Sequence, residues 1–225
     1  PTHSYNVGND FNDQLPRTKN YVKRVVKQWI EEYKIDGFRW DLTKGFTQNC
    51  ASGDACTNSY QQDRVDVLKE YAAYSWDLDP THYIIFEHLG NDNEEQQWAN
   101  FRIGETPSKG VMMWGKMTNE YNQLSMGFNS SNNIERMGYD AHGFTGKRVM
   151  GYAESHDEER LMYKNIEYGN SNGTYNTRSL PTALDRMAEA AAFFITLPGP
   201  KMIWQFGELG YDYSITDCLD GTFSA

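Results

Sequence analysis

Short apolar runs of strand length alternate with longer runs of helical period along this chain, and few architectures accept that order. "RTKNYVKRVVKQWIEEY" puts Val22, Val25, Val26, Trp29, Ile30 and Tyr33 at helical spacing, which predicts one apolar helix face. Pro16 stands just before it, where a first-turn proline is tolerated. "DGFRWDLTKGF" follows at once as a strand. A polar loop leads to a second helix in "QQDRVDVLKEYAAYSWDL", stopped by Asp79-Pro80, and "HYIIFEHLG" gives the second strand. "GVMMWG" reads as a third strand and "KMTNEYNQLSMG" as a short helix. "RVMGYAESHDEER" holds a fourth strand, "SLPTALDRMAEAAAFFITLPG" an alanine-rich helix, and "PKMIWQFGELG" a fifth strand. Strands separated by helices pair in parallel, so the order predicts an α/β fold. "NSSNN" and "YGNSNGTYN" read as polar loops, and no repeat or low-complexity linker divides the chain.

Within "DGFRWDLTKGF", side chains alternate faces. Arg39 and Asp41 point one way and Phe38, Trp40 and Leu42 the other. An aspartate beside an arginine stays ionised, because the cation favours the charged form. Such a carboxylate suits a nucleophile, a metal ligand or a structural ion pair equally well. Two further acids sit at comparable places: Glu87 at the end of the second strand, and Asp157 at the end of the fourth, just after His156. A parallel α/β barrel gathers groups from the C-terminal ends of its strands on one face. Retaining glycoside hydrolysis asks for such a set: one carboxylate attacks the anomeric carbon, and a second, protonated, donates to the leaving oxygen. A further carboxylate can stabilise the oxocarbenium-like state.

Composition narrows the partners. Asp and Glu outnumber Lys and Arg, 31 to 21, for a net charge of -10, which opposes binding to nucleic-acid phosphates. No apolar run approaches the roughly 20 residues of a membrane helix, and no signal peptide opens the chain. "PTHSYNVGND" reads like the middle of a protein. Aromatics at 14% suit both a packed core and stacking on sugar rings. Cys50 and Cys56 flank "ASGDA", where a disulfide and free thiols are both compatible with the sequence, and Cys218 has no evident partner. No His/Cys cluster suggests zinc.

"GFRWDLTKGF", "IIFEHLG" and "ESHDEER", in this order and spacing, resemble three sequence regions of the alpha-amylase family, glycoside hydrolase family 13. "LPGPKMIWQFGELG" resembles that family's eighth strand. "GYAESHDEERLMY" and "PGPKMIWQFGELGYDYSI" look most like secreted alpha-amylases of Bacteroidetes-type bacteria.

The resemblance implies an incomplete (β/α)8 TIM barrel, with strands four to eight and their helices, in one domain over residues 1–225. The family's first three strands and its C-terminal β-sandwich have no counterpart here. It implies cleavage of alpha-1,4-glucosidic bonds in starch and related glucans, with a transglycosylase or a non-catalytic glucan-binding fragment as alternatives. By the same resemblance Asp41 is the nucleophile, Glu87 the acid/base and Asp157 the transition-state stabiliser. Arg39, Lys44 and His156 contact the substrate or its nucleophile. Gly45 departs from the family pattern, where many members have a histidine whose backbone carbonyl binds calcium; the glycine still offers a carbonyl, so the resemblance leaves a calcium site there open. The resemblance also implies a secreted or cell-surface bacterial protein. An open set of strands implies exposed edges and self-association through them.

Overall fold

The structure, a computed structural model, describes residues 8–51, 53–218, 220 and 222. Most of "PTHSYNVGND" and the end of "DCLDGTFSA" lie outside them. The chain forms two compact units, Pro1–Trp114 with His142–Arg148, and Gly115–Ala141 with Val149–Ala225.

In the first unit, helix α1 (Pro16–Glu31) precedes strand β1 (Gly37–Trp40). A short helix α2 (Asp54–Thr57) interrupts the polar loop, and α3 (Gln62–Leu78) leads to β2 (Tyr83–Phe86). Helix α4 (Asp92–Ala99) and strand β3 (Met112–Lys116) follow. β1 and β2 are parallel, with Trp40 opposite Phe86, and β3 lies parallel to β2, with Phe86 opposite Met113. At Gly37 a Cβ would stand 2.6 Å from the Tyr83 carbonyl oxygen, so only glycine lets the two strands meet there.

The face of β1 that carries Trp40 turns toward α3. Trp40 stacks on Tyr71 at 5.5 Å and meets Phe86 edge-on at 6.3 Å. Val65, Leu68, Tyr71, Ala72, Ile84, Phe86 and Trp98 are buried around it. Each large side chain buried this way contributes roughly 1.5–3 kcal/mol.

Helix α1 departs from the single apolar face that its spacing predicts. Val26 and Ile30 are buried, but Tyr21, Val25, Trp29 and Tyr33 are exposed. The apolar residues form two neighbouring rows at i, i+4 spacing, and only one row meets α3. Lys19 and Lys23 anchor the helix by ion pairs with Glu70 at 2.7 Å each.

The second unit holds helix α5 (Thr118–Met126), strand β4 (Val149–Tyr152) and helix α6 (Leu161–Tyr168). "YGNSNGTYN" is not a plain loop. Strands β5 (Ser171–Asn172) and β6 (Tyr175–Asn176) pair antiparallel there, around a glycine at φ +61°. Such a two-residue turn needs positive φ at its first position, which Gly173 supplies. Helix α7 (Leu180–Ile195) and strand β7 (Lys201–Met202) follow, with β7 parallel to β4. Met117, Tyr121, Met137, Leu161 and Phe194 form the core of this unit.

The strands make one five-stranded sheet in the order β1-β2-β3-β4-β7, as expected of consecutive strands of a parallel α/β barrel. Among the described residues, β1 and β7 end that order.

Candidate active site

The ladder between β1 and β2 continues past both strand ends. The Glu87 N–H donates to the Trp40 carbonyl at 2.9 Å, and the Thr43 N–H donates to the Glu87 carbonyl at 2.9 Å. Asp41 and Glu87 therefore leave neighbouring parallel strands at the same end. Leu42 takes a left-handed conformation, φ +44°, and turns the chain into a 3-10 turn over Thr43–Phe46. That turn aims the Leu42 N–H at Glu87 Oε2, 2.7 Å away.

Arg39 joins the two acids. Its Nη1 donates to Asp41 Oδ1, and its Nη2 lies 3.2 Å from Glu87 Oε2. The guanidinium also stacks over Trp114, 5.0 Å from the ring centre, so Arg39 faces away from the Trp40 side as strand alternation predicts. The acids differ in environment. The Asp41 side chain is 74% exposed and that of Glu87 only 13%. Burial holds the Glu87 carboxyl above its usual range. The Leu42 N–H and Arg39 oppose the rise, and the Asp41 charge adds to it.

Lys44 sits in the same turn, half-buried. Desolvation pulls its ammonium below the usual range, against the attraction of Asp54, Glu95 and Glu87. The turn is clamped from beneath by a group that sequence reading missed. Arg64 Nη1 donates to the Lys44 carbonyl at 2.8 Å and to the Thr57 carbonyl at 2.9 Å, and its Nε donates to Glu94 at 2.9 Å. Glu94 Oε2 lies 3.3 Å from His88 Nε2, and His88 Nδ1 lies 3.2 Å from the Thr43 hydroxyl. That hydroxyl donates to the Glu87 carbonyl at 2.9 Å. Arg64, Glu94 and His88 are fully buried.

Gly45 is buried in the turn. Calcium takes about six to eight oxygen ligands. The carbonyl beside Gly45, that of Lys44, already accepts the Arg64 guanidinium. Among the described residues, the one group of three carboxylate or imidazole ligands is Asp92, Glu95 and His142. Sequence reading finds no His/Cys cluster and could not see the Asp92–Glu95–His142 group, because it joins two acids and one histidine 50 positions apart.

In the second unit, Asp157 does not close its strand, since β4 ends at Tyr152 and Asp157 lies in the following loop. The loop sorts the charges of "ESHDEER". Glu154 is buried and accepts from the Leu161 N–H at 2.6 Å. Glu159 accepts from the Ser214 hydroxyl at 2.6 Å and the Ile215 N–H at 2.8 Å. Glu158 pairs with Ser155 and Lys116. Arg160 donates to the Gln205 carbonyl at 2.8 Å. His156 and Asp157 stay exposed, 3.5 Å apart between Nε2 and Oδ2, with the His156 ring 5.7 Å from Trp204.

No protein-family model matches the sequence. It is 24% identical over 216 residues to "Alpha-amylase 3" of Dictyoglomus thermophilum, covering 92% of this chain and 36% of that protein. It is 38% identical over 42 residues to "Pullulanase" of Bacillus subtilis, covering 19% of this chain and 6% of that protein. The chain thus spans about a third of the length of the first curated relative and a small part of the second. The crystal structure of pullulanase from Anoxybacillus sp. LM18-11 superposes with TM-score 0.63 at 17% identity, over 91% of this chain and 28% of that one. The fold is that of alpha-amylase-like glycoside hydrolases: an open, five-stranded section of their (β/α)8 barrel.

Proposed function

We propose that this chain is part of the catalytic barrel of a retaining alpha-glucan hydrolase of the alpha-amylase family. The observation that supports this best is the Asp41–Arg39–Glu87 arrangement, an exposed carboxylate and a largely shielded one joined through one guanidinium. In the proposed reaction, Asp41 Oδ attacks the anomeric carbon as the bond to the leaving oxygen breaks. Glu87, whose carboxyl burial holds above its usual range, passes a proton to that oxygen. The covalent glycosyl-enzyme forms with Glu87 ionised. Water then attacks the anomeric carbon, Glu87 takes a proton from it, and Asp41 is released. Arg39 orients and neutralises the nucleophile. Lys44 is proposed to reach an adjoining sugar.

Asp157 is proposed to stabilise the oxocarbenium-like state and His156 to hydrogen-bond a sugar hydroxyl. Their exposure, in a motif whose other charges are engaged, supports both roles. Gly45 is proposed as one carbonyl ligand of a calcium ion. No step above passes through that ion.

The bond cleaved is proposed to be alpha-1,4, in starch and related glucans, as in a Bacteroidetes-type amylase. Export to an oxidising compartment is proposed on the Cys50–Cys56 disulfide. No described helix is long and apolar enough to cross a membrane. Self-association is proposed at the strand edges, where Ile203 beside β7 is exposed. Light scattering over a concentration series reads it.

The protein that carries this chain should release reducing ends from a blocked maltooligosaccharide. Asp41→Asn should lower that turnover by more than about tenfold, ~1.4 kcal/mol in barrier. No release from the maltooligosaccharide by the wild-type protein would overturn the alpha-1,4 assignment. Full activity in the Asp41→Asn variant would overturn the covalent mechanism.

A further inference from the structure

We propose that Asp92, Glu95 and His142, all in the first unit, form a site for a divalent transition-metal cation, Zn2+ or Mn2+. No role proposed above uses these residues.

Asp92 and Glu95 lie three apart on α4, which puts their carboxylates on one helix face. His142 comes from a different segment, and two hydrogen bonds hold that segment against the helix. The Gln96 side chain donates to the His142 carbonyl at 2.8 Å, and the Thr145 N–H donates to Asn100 Oδ1 at 2.7 Å. Phe144 stacks on the imidazole at 5.0 Å and fixes its plane.

One ligand atom from each of the three residues lies within 4.8 Å of the others. His142 Nδ1 is 3.0 Å from Asp92 Oδ1 and 3.9 Å from Glu95 Oε2. A simple His–Asp hydrogen bond explains the first distance. Beyond that bond, the buried Glu95 carboxylate is turned toward the same nitrogen. A cation at about 2.0–2.2 Å from each ligand sets neighbouring ligands roughly 3.0–3.5 Å apart, between the two distances found. A small rotation of Glu95 closes the longer one.

The surroundings fit a metal site as well. The Gly90 N–H donates to Glu95 Oε1 at 3.1 Å, orienting the carboxylate and presenting Oε2 to the cluster. Glu95 and His142 are buried while Asp92 is one-third exposed, which leaves a way in from solvent. Two carboxylates brought together repel, the more so where one is buried, and a dication offsets both. One imidazole nitrogen with two carboxylates suits Zn2+ or Mn2+ better than Ca2+ or Mg2+, which favour all-oxygen shells.

Calorimetric titration of the chelator-treated protein with Zn2+, Mn2+ and Ca2+ in turn tests the site. Zn2+ or Mn2+ should bind saturably at one ion per chain and raise the unfolding temperature. His142→Ala should weaken that binding by roughly 100-fold or more, beyond the range for outer-shell losses. Asp92→Asn, at a partly exposed position the fold tolerates, should weaken it as well and carries the test if His142→Ala does not fold. Absence of saturable binding, a preference for Ca2+, or equal binding by Asp92→Asn and wild type would overturn the proposal.

Discussion

Arg39 Nη2 lies 3.2 Å from Glu87 Oε2 while its Nη1 holds Asp41, so the titration of Glu87 depends on both neighbours. The two act in opposite directions. Arg39 favours the ionised carboxyl, and the Asp41 charge disfavours it. Arg39→Met should therefore move the Glu87 midpoint up, and Asp41→Asn should move it down. A carbon-13 NMR titration of the Glu87 carboxyl reads both. Shifts of the same sign in the two variants would show that the acids are not coupled through this arrangement.

The sequence made this part of the site legible because it lies in two short strands. Alternation put Arg39 and Asp41 on one face, and strand ends placed Glu87 beside them. What supports the strands was not legible. Helix α4 carries three acids in its first turn and only Trp98 and Ala99 as buried apolar residues, so its period is faint. The Arg64–Glu94–His88 clamp joins three segments, and no local pattern announces it. In "ESHDEER" the resemblance singles out His156 and Asp157, but nothing local tells what the other charges do. Only the fold sorts Glu154, Glu158 and Glu159 into structural partners and leaves His156 and Asp157 exposed. The α1 spacing was read correctly as helical, but spacing cannot say which of two adjacent rows finds a partner.

Arg64 and Glu94 are both fully buried, and each is the main counter-charge of the other. Removing one partner leaves an uncompensated charge, so Arg64→Met should destabilise the chain by about 3–5 kcal/mol. Arg64→Met with Glu94→Gln should recover part of that loss. The Arg64 change should also loosen the turn that holds Lys44 and the Leu42 N–H. Chemical unfolding of the single and double variants measures the difference. A loss below about 1 kcal/mol for the single variant would mean that water reaches the pair.

The Cys50–Cys56 disulfide closes a short loop. A short closure removes little entropy from the unfolded chain, so its loss should cost about 2 kcal/mol. Unfolding of a Cys50→Ser, Cys56→Ser variant beside the oxidised protein tests this. Equal midpoints would show that the bond constrains nothing that folding does not already fix.

Two buried groups give opposing pH dependence in the first unit. Burial raises the Asp13 carboxyl from 3.8 to about 6, against the hydrogen bond it accepts from the Tyr71 hydroxyl at 3.1 Å. Its proton is held more tightly in the folded chain. Its contribution to stability is complete below about pH 4 and is lost as pH rises through about 6. Burial lowers the His88 imidazole from 6.5 to about 4, so folding favours its neutral form. Its contribution is complete above about pH 6.5 and is lost as pH falls toward about 4. Across the shared window the two slopes partly cancel. Asp13→Asn removes one of them, and stability should then rise with pH between about 4 and 6.5 more steeply than in the wild type. Urea midpoints of both proteins across that window give the slopes directly. Identical slopes would mean that Asp13 titrates normally and that its carboxylate is reached by solvent.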